Sequence, residues 1–174
     1  YEVEPSNAQS MALSKGYRYM EVLNSPSNVP DAEIPFDRKN VPKLNRLCEL
    51  VENDFQGSQV MVYCFHLNAQ AKIKEELEKI GRKPIILNGN TVDNERLEII
   101  SGFNSGKYDV IITNIKKSLN LHGGDVLICS SLETNPAKLE QIRGRIDRNT
   151  DDRIKTFILL LYKGFLYVRI IKKT

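Results

Sequence analysis

The chain contains few of the residues that build metal centres, with three cysteines and two histidines among 174 residues. Cys48, Cys64 and Cys129 are far apart and each lies in an apolar segment, so we expect buried free thiols. Together with His66 and His122 they match no recognised metal-ligand spacing. The sequence therefore predicts no metal site and a reducing compartment, which would be the cytoplasm or, in a eukaryote, the nucleus.

Long hydrophobic runs and a strong net charge are also missing. No apolar segment approaches the roughly 20 residues that a helix needs to cross a bilayer, so no membrane span is predicted. The formal net charge of +3 permits a nucleic-acid partner without requiring one, because binding depends on where Lys and Arg cluster. The length fits one domain, and the start at Tyr1 without a methionine or leader predicts a fragment of a longer protein.

From residue 42 onward, short apolar runs alternate with helical periodicity. The apolar runs that we interpret as strands cover residues 60–65, 84–88, 108–113, 125–130 and 155–162. Alternation of this kind is typical of βαβ units. The sequence therefore predicts an α/β fold with a mostly parallel central sheet of five or more strands flanked by helices.

The segments between these strands have the spacing of amphipathic helices. The first helix begins at Pro42, with an apolar stripe of Leu44, Leu47, Cys48, Val51 and Phe55. The second is capped by Asn68 and ends at Gly81, with Ile73, Leu77 and Ile80 inward. The third is capped by Thr91 or Asp93, with Leu97, Ile100 and Phe103 on one face.

The two ends of the chain are less regular. Leu13, Tyr17 and Met20 have helical spacing, whereas residues 24–42 contain four of the seven prolines and predict an extended, poorly packed linker. Residues 163–174 fit either a strand or the start of a helix. The predicted domain therefore begins at residue 42.

The stretch QIRGRIDR, residues 141–148, gives the last helix a distinctive polar face. At 100° per residue, Leu139, Ile142 and Ile146 form the buried side. The opposite side carries Gln141, Gly144, Arg145 and Arg148. Such a face is either a solvated surface with weak ion pairs or an anion site, since the planar guanidinium binds phosphate oxygens in two places at once.

The pattern Q-x-x-G-R-x-x-R resembles the last conserved motif of superfamily 2 helicases and translocases, which lies in their second RecA-like lobe. The similarity extends over about residues 43 to 162 and includes VMVYCFHLNAQ and LNGNTVDNERLEIISGFNSGKYDVIITN. Its spacing is similar to Swi/Snf-type translocases and their phage and bacterial relatives. The resemblance implies a three-layer RecA-like domain over residues 42–174, preceded by a helix and linker (1–41) from a missing upstream lobe.

The resemblance also implies half of an ATP site. The chain has no G-x-x-x-x-G-K-[ST] and no Asp-Glu-x-x motif, so ATP and Mg²⁺ would be held mainly by the missing lobe. Arg145 and Arg148 would reach the β and γ phosphates, and Gln141 would lie near the phosphate or the attacking water. Gly144 and Asn120 complete the predicted ATP contacts, and the isolated chain is expected to be inactive.

The same resemblance assigns nucleic-acid contacts to the loops that follow the strands. These residues are His66, Asn68, Asn88, Gly89, Thr113, Lys116 and Lys117. They would contact a DNA backbone, with RNA not excluded, because hydroxyls, amides and lysines bind phosphates without reading sequence. An ordinary strand-end histidine, a simple Asn-Gly turn and a solvated lysine pair are the alternative interpretations.

One departure from the family pattern affects these assignments. Thr113 and Asn120 are seven positions apart where the family usually has eight, and Ser118 stands where glycine is expected. The shorter loop favours a second hypothesis, a degenerate lobe that only binds nucleic acid or a protein. A third is an unrelated α/β domain that binds a small molecule.

Overall fold

The structure, a computed structural model, describes residues 1–115, 120–131, 141 and 155–163. The helices in these ranges are α1 (Asn7–Ser14), α2 (Tyr19–Asn24), α3 (Pro42–Glu49), α4 (Leu67–Lys79) and α5 (Asp93–Asn104). The strands are β1 (Glu2–Val3), β2 (Val60–Tyr63), β3 (Pro84–Leu87), β4 (Val110–Thr113), β5 (Val126–Cys129), β6 (Thr156–Leu159) and β7 (Leu161–Tyr162). No helix in this part of the chain is both long and apolar enough to span a bilayer.

Five strands form one parallel sheet in the order β3-β4-β2-β5-β6. The strands are in level register, so that Tyr63 of the central strand pairs with Thr113 on one side and Cys129 on the other. Leu87 and Leu159 continue this row to the two outer strands. The carboxyl ends of all five strands therefore lie along one edge of the sheet, which we call the strand-end rim.

Alternate residues of each strand point to opposite faces of the sheet. Val60 and Val62 lie in a core with α3 and α4, whereas Met61 and Tyr63 lie in a second core with α5. Both faces of the sheet are covered by helices, as parallel sheets require. The predicted three-layer fold with a parallel sheet of five strands is thereby confirmed.

Each apolar run that predicts a strand contains one, although the observed strands are shorter. The run 155–162 is divided, because β6 joins the main sheet and β7 pairs in parallel with β1 in a separate two-stranded sheet. The three cysteines are free and buried, as predicted.

The apolar stripe of α3 is confirmed, with Leu47 and Cys48 fully buried. Its axis continues into a π-helical turn over Leu50–Asp54. Gly81 follows α4 with φ of 80°, the left-handed conformation that commonly ends a helix. The carboxyl end predicted for α4 is therefore close to the observed one.

Two capping predictions and one packing prediction are wrong. The N-cap of α4 is His66 instead of Asn68, and that of α5 is Val92 instead of Thr91 or Asp93; neither N-cap makes a side-chain capping bond. In α5 Phe103 is fully buried and Ile100 packs against the same core, as predicted, but Ile99 is buried in place of Leu97, because the face that packs on the sheet is rotated from the predicted one. Leu97 is accordingly 69% exposed.

The prediction of a poorly packed linker over residues 24–42 is also wrong. Pro26 and Pro30 each begin a short 3₁₀ turn, since proline already has the φ angle of a first helical position. Ser25, Ile34 and Val41 are buried. The prolines therefore form turns on the domain surface instead of an extended spacer.

The amino-terminal segment is attached to the domain by main-chain and side-chain bonds. The amino group of Tyr1 donates to the carbonyl of Leu159 at 2.9 Å, and β1 pairs with β7. The buried Gln9 donates from Nε2 to the carbonyl of Val22 (3.0 Å) and the hydroxyl of Tyr162 (3.1 Å). The bonds of Tyr1 with Leu159 and of Gln9 with Tyr162 connect residues more than 150 positions apart in the sequence.

Arg82 binds together several loops at the edge where the strands begin. Its Nε donates to Asp109 Oδ2 at 3.0 Å, and its two terminal nitrogens donate to the carbonyls of Val51 (2.8 Å), Phe55 (3.0 Å) and Ser58 (2.7 Å). The Arg82 side chain is 7% exposed. The guanidinium thus donates to carbonyl groups in and directly after the π-helical turn, those of Val51 and Phe55, and to that of Ser58 in the loop that follows.

We predict that Arg82→Met lowers the free energy of unfolding by about 3 kcal/mol, because it leaves three carbonyls without the guanidinium donor and the Asp109 carboxylate without its ion-pair partner. Urea denaturation followed by circular dichroism measures the change. Lys83→Met, a change at the adjacent exposed side chain, serves as the control and is expected to have little effect. Equal unfolding midpoints for the two variants would contradict the role of Arg82.

Candidate functional site

The strand-end rim gathers several of the residues that the sequence singles out. His66 and Asn68 follow β2, Asn88 and Gly89 follow β3, and Thr113 ends β4. Ligands of open parallel sheets bind at the carboxyl ends of the strands, so these residues are in the expected place. Their local contacts determine which groups can reach a ligand.

His66 and Asn68 are joined through a residue of the amino-terminal segment. The side-chain oxygen of Asn28 accepts from Asn68 Nδ2 at 2.8 Å, and its nitrogen lies 3.4 Å from His66 Nδ1. Because an amide nitrogen can only donate, this contact is a hydrogen bond in the tautomer of His66 that carries its proton on Nε2. The segment before the domain therefore contacts the loop after β2.

Burial lowers the pKa of His66 from its ordinary value, and Lys43 lowers it further, while Glu21 opposes the shift. The imidazole is therefore neutral at neutral pH. A neutral ring with its proton on Nε2 can donate one hydrogen bond to a phosphate but adds no positive charge.

Gln70 connects the loops after β2 and β3. Its Nε2 donates to the carbonyl of Cys64 at 2.8 Å, and its Oε1 accepts from Asn88 Nδ2 at 3.1 Å. Gln70 is fully buried in α4. Both polar ends of the amide are thus used between two loops of the rim.

The side chain of Asn88 organises its own turn. Asn88 Oδ1 accepts from the backbone N–H of Asn90 at 2.9 Å. The backbone N–H of Asn88 donates to Thr91 Oγ1 at 3.1 Å. Gly89 at the tip is exposed, and a Cβ built on it would meet nothing within 4 Å. The turn therefore presents the Gly89 peptide, and the Asn88 side chain, to which we assigned a nucleic-acid contact, bonds internally.

Thr113 is fully buried, and its hydroxyl accepts from the amide of Ile115 at 3.0 Å. In this conformation the side chain shapes the start of the loop and is not accessible at the surface. Lys116 and Lys117 lie outside the described residues.

Asn120 is separated from the rim. It is exposed, and its carbonyl accepts from Asn104 Nδ2 at 2.8 Å, while Asn104 Oδ1 accepts from the amide of Gly123 at 3.0 Å. Asn104 is the last residue of α5, and Gly123 lies against Gln59, which precedes β2. The backbone of Asn120 is therefore held towards the edge where the strands begin.

The arginine motif falls mostly outside the part of the chain that the structure describes. Gln141 has helical backbone and is exposed. Gly144, Arg145 and Arg148 lie outside the described residues, so their predicted roles at ATP stay predictions. Gln141 and Asn120, the described residues of the predicted ATP half-site, are both exposed.

Lys43 is a buried cation next to the rim. Its Nζ donates to Asn24 Oδ1 at 2.8 Å and to the carbonyl of Ser130, which follows β5, at 2.7 Å. Nζ also lies 5.1 Å from the ring centroid of Tyr162. Burial lowers the pKa of Lys43 to about 7, and the neighbouring Cys64 and Cys129 thiols act in the opposite direction.

The sequence reasoning missed Asn28, Lys43 and Gln70. A signal was present for two of them, because Gln70 precedes Ile73 by three positions and Lys43 precedes Leu47 by four, which places both polar residues on apolar stripes. Asn28 carried no comparable signal, since its partners are about 40 positions away. Within the described ranges, no cluster of His, Cys, Asp or Glu could hold a metal ion.

The layered sheet with its polar strand-end rim defines the class of fold, a RecA-like α/β domain. The family model for the helicase conserved C-terminal domain matches residues 42–150, and the chain belongs to this family.

Relatives agree with this assignment. The SWI2/SNF2 ATPase core of Sulfolobus solfataricus in complex with dsDNA has 20% identity and a TM-score of 0.72, covering 98% of this chain and 36% of that one. The C-terminal part of the Fun30 ATPase domain has 19% identity and a TM-score of 0.66, covering 92% and 56%. DEAD-box ATP-dependent RNA helicase 16 of Arabidopsis thaliana is 31% identical over 87 residues.

The chain spans only part of these proteins. The match covers 50% of this chain and 14% of the Arabidopsis protein. Likeness to the solved structures, at about 20% identity, establishes the fold.

We predict that the Lys43 ammonium makes stability depend on pH between pH 7 and about 8.5. In this window the unfolded chain keeps a proton that the folded chain releases, because the folded pKa is about 7 and the ordinary value is 10.5. Raising the pH should therefore stabilise the wild-type chain by about 1 to 2 kcal/mol. Urea denaturation at each pH measures the effect.

Lys43→Met should lack this rise over the same window, and Lys39→Met, at an exposed position, should keep the wild-type slope. Burial raises the pKa of Cys48 and of Cys129 to about 12, so the unfolded thiols ionise first and stability falls as the pH rises through the range of ordinary thiol ionisation. This fall is common to wild type and variants, so the difference between their profiles reports Lys43. Parallel profiles for wild type and Lys43→Met would contradict the assignment.

Proposed function

We propose that the chain is the C-terminal motor lobe of an ATP-dependent DNA helicase or translocase. In this function it contacts the nucleic-acid backbone with its strand-end rim and supplies arginines to ATP held by an upstream lobe. The observation that carries the proposal is the level register of the five parallel strands, which brings the loops after β2, β3 and β4 to one edge.

The chemistry of the rim suits a backbone ligand. Gly89 offers an exposed peptide, Asn68 an exposed amide and His66 a neutral ring with its donor on Nε2. Groups of this kind bind phosphate oxygens and sugars without distinguishing the bases. They support a motor that follows a strand of any sequence.

The ATP side of the proposal rests on the motif of residues 141–148. Arg145 and Arg148 would stabilise the negative charge that spreads over the phosphoryl oxygens during transfer, an effect typically worth on the order of 10³ to 10⁵ in rate. The phosphoryl group would come from ATP that the upstream lobe holds with Mg²⁺. Gln141 would orient groups around the phosphate, and Gly144 would let the nucleotide approach the helix.

DNA is the proposed nucleic acid because the sequence pattern is similar to Swi/Snf-type translocases. The SWI2/SNF2 core that resembles this chain was solved in complex with dsDNA, which supports the same choice. The Arabidopsis relative is an RNA helicase by name, so RNA is the alternative that the experiments must compare.

A degenerate lobe that only binds nucleic acid or a protein partner is the second candidate. The short interval between Thr113 and Asn120 favours it. The position of Asn120, held by Asn104 away from the rim, favours it as well. In this case the bound nucleic acid would not alter nucleotide turnover.

The test uses a two-lobe protein in which the upstream lobe precedes this chain. We expect DNA-stimulated ATP hydrolysis that Arg148→Ala reduces by at least a hundredfold, because the guanidinium acts mainly in the transition state. Nucleotide affinity, measured with a fluorescent ATP analogue, should change little. Turnover is followed by phosphate release with single-stranded DNA, double-stranded DNA and RNA of one sequence.

Arg143→Ala is the matched control, since Arg143 lies in the same motif but outside its Q-x-x-G-R-x-x-R positions. It should retain most of the activity. Equal turnover in the wild type and Arg148→Ala would remove the arginine from the mechanism. Nucleic-acid binding without any stimulation of hydrolysis would favour the degenerate lobe.

A further inference from the structure

We infer that Gln70 is a positioning residue for nucleic-acid binding, because its buried amide fixes the loop after β2 relative to the loop after β3. The inference rests on the proposed function, and it gives a role in nucleic-acid binding to a residue that does not touch the ligand. It concerns the neutral contacts of the rim, which are those of His66, Asn68 and Gly89.

The two loops are not connected through the backbone of neighbouring strands. In the sheet order β3-β4-β2-β5-β6, strand β4 lies between β2 and β3. The Gln70 amide crosses this gap, with Nε2 on the carbonyl of Cys64 at 2.8 Å and Oε1 on Asn88 Nδ2 at 3.1 Å. One side chain therefore joins directly two loops whose strands are separated by β4.

The cost of burying this amide indicates that it has a use. Gln70 lies on the same stripe of α4 as Ile73 and Leu77, where an apolar residue would pack without desolvating a polar group. A buried amide is tolerated only when its hydrogen bonds are made, and the net gain from such bonds is small. Fixing the loops accounts for a polar group at this position better than stability does.

Each end of the amide fixes a predicted contact. On the β3 side, Asn88 donates to Gln70 and accepts from the amide of Asn90, which locks the turn that presents Gly89. On the β2 side, the anchored Cys64 carbonyl lies two residues before His66. The spacing between the Gly89 peptide and the His66 ring is thereby held constant, as contacts to successive phosphates of one strand require.

The affected contacts carry no charge, so their loss should leave the salt dependence of the affinity unchanged. Binding that neutralises phosphates with Lys or Arg releases counterions and becomes weaker as salt increases. Misplacing a peptide N–H or a neutral imidazole weakens binding without changing the number of released ions. Loss of Gln70 should therefore lower affinity equally at every salt concentration.

The experiment measures binding of this 174-residue chain to fluorescein-labelled 20-nucleotide DNA, its duplex and the RNA of the same sequence, at several salt concentrations. Gln70→Met keeps the length of the side chain and removes both hydrogen bonds. We expect binding of the preferred nucleic acid to be about fivefold weaker at each salt concentration, with parallel plots of log affinity against log salt. Circular dichroism reports whether each variant is folded at the assay temperature.

Asn88→Ala removes the same hydrogen bond from the loop and leaves α4 unaltered, so it carries the test if Gln70→Met does not fold. The double variant completes a cycle. We expect its loss of affinity to be smaller than the sum of the two single losses, because the Gln70–Asn88 bond is shared, while each change also breaks one bond of its own, to the Cys64 carbonyl or from the Asn90 amide. Gln56→Met, the same chemical change at an exposed position, should bind like the wild type.

The outcomes separate the two proposals. If the wild-type chain binds none of the three nucleic acids, the proposed function is overturned together with the inference. If it binds and Gln70→Met and Asn88→Ala bind equally well, only the inference is overturned. Fully additive losses in the double variant would also overturn the inference. A slope of log affinity against log salt that falls by about one would do the same, because it marks a lost Lys or Arg contact.

Discussion

The structure depends on the level register of its five parallel strands. Because Leu87, Thr113, Tyr63, Cys129 and Leu159 pair across the sheet in one row, every loop that follows a strand emerges at the same edge. A shift of one residue in any strand would exchange its two faces and move apolar side chains out of their cores. The two apolar layers therefore fix the register, and the register in turn creates the rim on which a ligand can bind.

Three buried polar side chains join loops and segments that lie apart in the sequence. Arg82 joins the loops at the edge where the strands begin, Lys43 joins the amino-terminal segment to the end of β5, and Gln70 joins two loops of the rim. Each carries a desolvation penalty that only complete hydrogen bonding offsets. Each of them connects elements that are not paired with each other in the sheet. The three side chains thereby fix the relative positions of the loops.

The family of the chain is established, whereas the roles of its rim and of its arginine motif are proposed. Membership of the helicase C-terminal domain family establishes the class of domain. The neutral rim suits a strand whose sequence does not matter, and the arginine motif suits a nucleotide held elsewhere. The contact of Asn28 with His66 and Asn68 adds a third participant, because the amino-terminal segment reaches the loop that the resemblance assigns to nucleic acid.

The sequence alone determined the fold class, the five apolar strands, the stripe of α3 and the helicase resemblance, because periodicity and motif spacing are properties of the local chain. It also indicated His66, Asn68, Asn88 and Gly89 as residues of one edge. Only the tertiary structure decided that the Asn88 side chain bonds inward to Gln70, that Thr113 is buried, and that the proline-rich segment packs on the domain. The physical reason is that these outcomes depend on contacts between residues distant in the sequence, such as Asn88 with Gln70, 18 positions away, and Asn28 with Asn68, 40 positions away, and no local pattern in the sequence records such pairs.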